Sequence, residues 1–437
     1  MRDGGRLSAA IEVLTAIVER HRPAHLALKD WGRDSRFAGA KDRAWVSGLV
    51  LDALRHRRST AWRIGAEGPR AETLATLRYV WEWPLDRIAE AAGDEPHGPG
   101  ALSDEETAGL TTPRALTDAP ADVRGDFPEW LDPYLARAYG EGRADEAAAL
   151  AARAPVDLRA NTLKTDAARA QHALGPFHAQ PPGLMSAALR VASPAAADRA
   201  APVEAIPEFE KGWFEVQDLG SQIAAAAAGD VRGKQILDYC AGGGGKTLAL
   251  AAAMSNSGQL YAYDSDARRL TDTVRRSQRA GVRNLQVRTP LREDALAGLE
   301  DRMDVVFVDA PCTGSGTWRR HPDAKWRLTP AQLERRMAEQ DAVLAGAAQY
   351  VKPGGRLVYV TCSLLMEENE DRIAAFVAAT PGFVATNTLA QIAASGMADV
   401  EGLSELASRQ TPDGYLRLTP KTAATDGFFV AVLERGG

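Results

Sequence analysis

Apolar residues recur along this chain in two rhythms, and the change from one to the other divides it. In the first part they return every three or four positions, as at Ile11, Leu14 and Val18, which predicts amphipathic helices. From Phe214 onward, short apolar runs bounded by Gly and Pro alternate with helical stretches, which indicates an open α/β sheet. We therefore predict an all-α domain over 1–125, a small α+β subdomain over 126–212 and an α/β domain over 213–437.

The same pattern predicts individual elements. Helices are predicted over Leu7–Arg20, Ala44–Leu54, Glu72–Trp83, Asp166–Leu174 and Pro330–Val351. A strand is expected to begin at Val156, and the acidic stretch Glu90–Glu106 reads as a surface loop because Pro and Gly punctuate it. Tyr415–Leu418 and Gly427–Leu433 are predicted as final strands that add an antiparallel edge to the sheet.

Two cysteines follow two of the predicted strands directly. Cys312 comes after the run Asp304–Asp309, and Cys362 comes after Arg356–Thr361. A lone cysteine is most often a small buried apolar residue. Ligands of open α/β sheets, however, bind beyond the carboxyl ends of the strands. If the two strands are parallel neighbours, both thiols face one crevice.

Length and composition limit the classes of protein. With 437 residues and 45% apolar content, the chain is expected to form two or three domains. It has no run of eighteen apolar residues and no signal-peptide pattern, so we expect a cytoplasmic protein without a membrane partner. Its three cysteines lack a CxxC pair and its seven histidines lack ligand spacing, so neither a disulfide framework nor a metal is expected.

The net charge of −6 hides a local excess of positive charge. Met1–Gly65 holds 13 Lys and Arg against 7 Asp and Glu, a balance of +6 that leaves −12 for the rest of the chain. Basic residues in Lys29–Arg43 are interleaved with Trp31 and Phe37. Two interpretations stay open: a surface that binds RNA phosphates, or an ordinary solvated helix surface.

A glycine loop follows another predicted strand, and it has two possible meanings. The stretch Gln235–Thr247 contains four glycines in succession, then Lys and Thr. A phosphate loop of the form G-x-x-x-x-G-K-[ST] would need Gly where Cys240 stands. A cofactor loop of a Rossmann-like fold is favoured by Asp264, an acid 19 residues after Gly245 that is placed to accept bonds from ribose hydroxyls.

Four motifs together resemble one family. They are Cys240–Thr247, Asp309–Gly316, Arg319–Asp323 with Lys325 and Trp326, and Thr361–Ser363 with Glu367–Asn369. They are similar to motifs of the RNA cytosine-5 methyltransferases. The helical N-terminus resembles the bacterial ribosomal small-subunit RNA methyltransferase B branch, whose first domain is similar to the antitermination factor NusB. The implied fold is a Rossmann-like S-adenosylmethionine-dependent methyltransferase sheet after a NusB-like all-α domain and a small α+β RNA-binding subdomain.

This resemblance implies roles for the cysteines and a cofactor. Cys362 would add to cytosine C6, Cys312 would assist loss of the C5 proton and product release, and Asp309 would hold the N3 edge. The residues implied for S-adenosylmethionine are Cys240, Ala241, Gly242, Gly243, Gly244, Gly245, Lys246, Asp264 and Asp309. Two departures stand out. Gly242-Gly243 replaces the usual Ala-Pro, which gives a more flexible loop, and the usual acid after the third strand is absent from Val287–Leu291, with Asp294 near but out of register.

The partner implied by the resemblance is RNA of the small ribosomal subunit, and we expect the chain to act as a monomer. Cations and aromatic rings alternate just after Cys312, and the residues predicted to contact RNA are Arg319, Arg320, His321, Lys325 and Trp326. The alternative for Trp326 is a ring that packs on the core. The target base must reach the thiols unstacked.

Other classes of function remain open at this point. A non-ribosomal RNA such as transfer RNA is an alternative substrate. A P-loop nucleotide-binding assembly factor would use Lys246 and Thr247, and a noncatalytic RNA-binding protein would not need two thiols. DNA enzymes place their nucleophile in the Pro-Cys motif and lack Thr-Cys-Ser here.

Overall fold

The computed structural model describes residues 1–196, 198, 201–291 and 294–437. The chain forms two compact units. The first contains Met1–Ala154, Thr317–Leu328 and the described part of 193–200. The second contains Pro155–Ala192, 201–316 and Thr329–Gly437, again within the described residues.

The first unit is helical. Its helices are α1 (Asp3–Val18), α2 (Ala24–Asp34), α3 (Ala40–Arg55), α4 (Arg57–Ile64), α5 (Pro69–Tyr79), α6 (Leu85–Ala92), α7 (Asp104–Thr111), α8 (Ala121–Arg124), α9 (Asp132–Tyr139), α10 (Arg143–Ala149) and α16 (Pro322–Arg327). The predicted periodicity places Leu7 and Leu14 of α1 against Leu49 and Leu54 of α3 in one fully buried core. Among the described residues of both units, no helix has the length and apolar character needed to cross a membrane.

The helical unit extends beyond the predicted boundary at residue 125. Asp126 accepts hydrogen bonds from the backbone N–H groups of Arg58 and Ser59, both 2.9 Å, so the chain after 125 is tied to the start of α4. Phe127 is fully buried. These contacts keep the helices after residue 125 in the first unit, and the second unit begins at Pro155 and includes the small sheet.

A small sheet opens the second unit. Strand β1 (Val156–Ala160) lies between β2 (Ala188–Val191) and β3 (Phe214–Val216), antiparallel to both. The helices α11 (Ala167–Ala173) and α12 (Pro207–Glu210) belong to the same region. The strand expected from Val156 and the helix expected near Asp166–Leu174 are confirmed.

A larger sheet forms the centre of the second unit. Its strands are β4 (Gln235–Asp238), β5 (Gln259–Tyr263), β6 (Leu285–Arg288), β7 (Met303–Asp309), β8 (Val351–Thr361), β9 (Phe383–Thr386), β10 (Leu416–Leu418) and β11 (Phe428–Arg435). The order is β10-β11-β8-β7-β4-β5-β6, with β9 also paired to β11. Its helices are α13 (Leu219–Ala226), α14 (Gly245–Ala253), α15 (Ala267–Ala280), α17 (Pro330–Ala348), α18 (Glu370–Ala379), α19 (Thr388–Ala394), α20 (Val400–Ala407) and α21 (Pro420–Ala423).

The topology confirms the predicted α/β arrangement and fixes where a ligand can bind. Strands β4 to β8 run parallel, and β11 is antiparallel to β8, as expected for the final strands. The chain order reverses between β4 and β7, because β5 and β6 lie on one side of β4 while β7 and β8 lie on the other. The crevice beyond the carboxyl ends of β4 and β7 is the place where such sheets bind ligands.

Candidate active site

Two thiols meet at the carboxyl ends of β7 and β8. The Sγ atoms of Cys312 and Cys362 lie 3.4 Å apart. Backbone hydrogen bonds also join the segments at the ends of these two strands. Ala310 N–H donates to Val360 O at 2.8 Å, and Gly316 N–H donates to Cys362 O at 2.9 Å. The predicted juxtaposition of the two cysteines in one crevice is therefore present in the structure.

A buried glutamate connects the two cysteine loops. Glu368 is fully buried and accepts hydrogen bonds from the N–H and hydroxyl groups of Thr313, the residue after Cys312. It also accepts from the hydroxyl of Ser363, the residue after Cys362, and from Gln340 Nε2. Burial raises the pKa of Glu368, although these hydrogen bonds oppose that rise. Sequence reasoning noted this residue only as part of a motif, because its partners come from three separate segments.

Electrostatic interactions shift the pKa values of Cys312 and Lys246 in this crevice. The hydrogen bond with Cys362, together with burial, raises the pKa of the Cys312 thiol well above its usual value. Lys246 Nζ donates to Asp309 Oδ2 at 2.7 Å. Burial lowers the pKa of Lys246, but Asp309, Cys362 and Asp238 outweigh burial, and the pKa is raised. Lys246 thus remains a cation that interacts electrostatically with Cys362 and Asp309.

The glycine loop stands between β4 and α14. Gly242 has φ +53° and its N–H donates to Asp264 Oδ2 at 2.8 Å. Gly244 has φ +82°, in the left-handed region that favours glycine. Ala241 N–H donates to Tyr263 O at 2.9 Å, which ties the loop to the end of β5. Burial raises the pKa of Cys240 well above its usual value, so this thiol stays protonated.

Asp264 lies at the end of β5, where the sequence predicted a ribose-binding acid. It is only 3% exposed, and its Oδ1 accepts from Asp266 N–H at 2.8 Å. Its Oδ2 also faces Arg269 Nη1 at 3.2 Å, and the Arg269 side chain is 59% exposed. Only the arginine end of this ion pair is exposed to solvent. A carboxylate has about four acceptor positions, so Asp264 keeps acceptor capacity for a hydroxyl group beside these donors.

Asp238, the last residue of β4, contributes a second acceptor beside the loop. Its Oδ2 accepts from Thr247 Oγ1 at 2.6 Å, whereas its buried Oδ1 has no hydrogen-bond partner among the described residues. Burial raises the pKa of Asp238 to about 7. A buried oxygen without a partner is costly unless a ligand or water satisfies it. The sequence pattern did not single out this residue.

Strand β6, the third strand of the larger sheet in chain order, is not followed by an acid at the position expected for an adenine contact, as the sequence indicated. Asp294 lines a cavity of about 450 Å³ together with Val287, Arg288 and Thr289 at the end of β6. In the part of the chain that the structure describes, no group of three or more His, Cys, Asp or Glu side chains is arranged to hold a metal ion.

The residues predicted to contact RNA belong to the helical unit, and several have internal roles. Lys325 is 2% exposed and its Nζ donates to Arg55 O at 3.0 Å, while Trp326 Nε1 donates to Leu54 O at 2.7 Å. The last carbonyls of a helix lack partners within it, and these two side chains satisfy them at the end of α3. Arg319 is also buried, and its carbonyl accepts from Arg55 Nη2 at 2.9 Å.

The other two predicted RNA contacts are more accessible. Arg320 is half-buried and His321 is exposed. Trp326 is partly buried and packs against the apolar core of the helical unit, as in the predicted packing alternative, and Arg57 lies over its ring at 5.4 Å.

Comparison with known proteins places this fold and site in a class. A solved structure of PH0851 covers 100% of this chain and 99% of its own, with 22% identity and a TM-score of 0.70. The structure of a methyltransferase homolog protein from Pyrococcus horikoshii covers 72% of this chain and 97% of its own, with 26% identity and a TM-score of 0.57. The fold and the loop after β4 define a Rossmann-like methyltransferase.

Sequence comparison gives the family. The model of 16S rRNA methyltransferase RsmB/F matches residues 228–434. A Synechocystis protein named "Probable ribosomal RNA small subunit methyltransferase B" is 30% identical over 71% of this chain and 67% of its own length. The ribosomal RNA small subunit methyltransferase B of Citrobacter koseri is 35% identical over 52% of this chain. The matched part covers 50% of that relative's length. This chain belongs to the 16S rRNA methyltransferase RsmB/F family.

Proposed function

We propose that this chain methylates C5 of a cytosine in small-subunit ribosomal RNA, using S-adenosylmethionine and a covalent bond between Cys362 and cytosine C6. The observation that carries the proposal is the pair of thiols 3.4 Å apart at the ends of β7 and β8. Cys312 follows β7, which borders the topological switch point, and Cys362 follows the neighbouring strand β8, while the glycine loop follows β4 on the other side of the switch point. The similarity to ribosomal RNA methyltransferases supports the substrate class.

Cys362 is the proposed nucleophile. Cytosine C5 is a poor nucleophile until a thiolate adds to C6 and makes the ring an enamine. A cation supports this role, because Cys362 contributes to the raised pKa of Lys246, whose ammonium group is held in place by Asp309. The same lysine follows the glycine loop, so one cation links the proposed cofactor loop to the nucleophile.

Cys312 is the proposed acid and base of the later step. Its sulfur lies 3.4 Å from that of Cys362, and its raised pKa makes its thiolate the stronger proton acceptor once formed. After methyl transfer, the C5 proton must leave before the C6–S bond can break. Cys312 lies next to the attacking sulfur and would assist this loss, which releases the product and restores the Cys362 thiolate.

Asp309 is proposed to orient the base. Its Oδ2 accepts from Lys246, and 35% of its side chain remains exposed in the crevice. A carboxylate accepts hydrogen bonds only. It therefore suits the N4 amino group of cytosine, which lies beside N3 on the same edge of the base.

The loop residues Cys240–Lys246 and the acids Asp264 and Asp309 are proposed to hold the cofactor, and two observations support the fit. Asp264 keeps acceptor capacity for ribose hydroxyls, and Asp238 presents a buried oxygen without a partner among the described residues. When bound, S-adenosylmethionine supplies an electrophilic methyl group to the activated C5. Adenine contacts are left out of the proposal, since Asp294 is out of register with the usual acid.

Methylation of isolated RNA tests the proposal. The full chain is incubated with labelled S-adenosylmethionine and either small-subunit ribosomal RNA, transfer RNA or duplex DNA, and the product is mapped by bisulfite sequencing. We expect 5-methylcytosine at one position of the ribosomal RNA. Label at the same chemical position in transfer RNA alone would overturn the ribosomal substrate, and label on another base would overturn the cysteine mechanism.

A further inference from the structure

The glycine loop has an unusual amount of backbone freedom. Gly242–Gly245 are four glycines in succession, and each populates left-handed as well as right-handed conformations when unrestrained. Fixing one residue's backbone costs about 1 to 2 kcal/mol of conformational entropy. A loop of this composition binds a ligand well only if other parts of the protein already hold it in shape.

Helix α15 holds two carbonyls of this loop. Thr273 Oγ1 donates to Gly242 O at 2.9 Å, and Arg276 Nη1 donates to Gly243 O at 2.6 Å. Thr273 and Arg276 are three residues apart and so lie on one face of the helix. Thr273 is fully buried, and a Cβ added to Gly244 would lie only 2.9 Å from its hydroxyl oxygen. The loop and this face of α15 are therefore in close contact.

A buried acid orients the arginine. Glu215 of β3 is 2% exposed, and its Oε2 accepts from Arg276 Nη2 at 2.9 Å and from Nε at 3.2 Å. Its Oε1 accepts from Arg279 Nη2 at 2.6 Å. The planar guanidinium of Arg276 is thus fixed on one edge by the small sheet, which leaves Nη1 directed at the loop.

We propose that Thr273 and Arg276, the latter oriented by Glu215, are positioning residues that preorganise the loop Gly242–Gly245 for S-adenosylmethionine. The inference rests on the proposed cofactor role of this loop. These side chains do not touch the cofactor in the proposal. They lower the entropy cost of binding because they restrict the loop before the ligand arrives.

Calorimetry and hydrogen exchange on the full chain test the proposal. We expect Arg276→Ala to weaken binding of S-adenosylhomocysteine by about tenfold and Thr273→Val by about threefold, as for loss of one hydrogen bond each. Without ligand, amides of Gly242–Gly245 should exchange faster in both variants. Glu215→Gln should shift both measurements in the same direction.

Arg275→Ala is the matched control. Arg275 lies on the same helix, is 78% exposed and pairs with Asp272. We expect this variant to keep the parent affinity and the parent exchange rates.

The outcomes separate this inference from the proposed function. Unchanged affinity and unchanged loop exchange in Arg276→Ala and Thr273→Val would overturn the positioning role while the cofactor assignment stands. If the parent chain does not bind S-adenosylhomocysteine, the cofactor assignment fails, and the exchange rates alone decide whether α15 holds the loop. If Arg276→Ala has a lower melting temperature than Arg275→Ala, its weaker binding could come from lost stability. The affinity and loop exchange of Thr273→Val then test the positioning role, because this substitution removes a hydroxyl at nearly constant volume.

Discussion

Cys312 Sγ lies 3.4 Å from Cys362 Sγ, and each sulfur follows a strand of the same parallel pair. A contact this short means that one thiol can donate to the other, and it contributes, with burial, to the raised pKa of Cys312. Two thiols this close can both reach the same base, so they are suited to two different steps of one reaction.

The first prediction separates the two cysteines. Cys362→Ala should abolish turnover and any covalent RNA adduct, because no enamine can form. Cys312→Ala should still form the bond but fail to resolve it, so a denaturing gel with labelled RNA should show a persistent protein–RNA band. The double variant is the control and should lose the band. A band that survives in Cys362→Ala and vanishes in Cys312→Ala would reverse the assignment.

The second prediction concerns Glu368. Because it accepts from Thr313 and Ser363, its loss should let the two cysteine loops separate while the sheet stays intact. We expect Glu368→Ala to lower kcat at least tenfold with little change in affinity for S-adenosylhomocysteine, and Glu368→Gln to recover part of the rate. The rate at which diamide couples Cys312 to Cys362 should also fall. An unchanged coupling rate would mean that Glu368 does not position the thiols.

The third prediction concerns Asp264. Removing the carboxylate should weaken binding of S-adenosylmethionine and S-adenosylhomocysteine by about 1 to 3 kcal/mol, through loss of hydrogen bonds to a charged acceptor. The acid Asp272 on helix α15 is a suitable control, since its side chain is 62% exposed and pairs with Arg275. Calorimetry that finds equal affinity for Asp264→Ala and the parent would remove Asp264 from the site.

The sheet could be predicted because a few local sequence patterns determine where its strands and turns lie. Apolar runs, glycine turns and chain-order alternation suffice to place Cys312, Cys362 and Asp264 at strand ends. The roles of Lys325 and Trp326 could not be predicted in the same way. A basic and aromatic sequence does not show whether its hydrogen-bond donors face RNA or the unpaired carbonyls at the end of a helix. Glu368 and Arg276 required the structure, since their partners are distant in sequence and nothing in local spacing connects them.

The fourth prediction follows from the burial of Lys325. Burial lowers its pKa from 10.5 to about 8. Between these values the unfolded chain binds more protons than the folded one, so this residue makes stability rise as pH increases from about 8 to 10.5, while its destabilising effect is fully present below pH 8. Lys325→Met should make the melting temperature less dependent on pH over that range. It should leave the salt dependence of RNA binding unchanged. A weaker salt dependence would show that Lys325 contacts RNA.

The last prediction concerns the positive charge of the N-terminal helices. Deleting Met1–Gly65 would remove α1 and α3, which carry much of the core of the helical unit, so charge substitution is the sharper test. Lys29, Arg36 and Lys41 are exposed and form no ion pair among the described residues. If these helices bind RNA, replacing all three with Gln should reduce the slope of log affinity against log salt by about 2, as expected for three lost phosphate contacts to a single strand. A control that exchanges Lys for Arg and Arg for Lys at the same positions keeps the charge and should keep the slope. If filter binding gives the same slope for the Gln variant and the parent, the excess charge is a solvated helix surface without a role in RNA affinity.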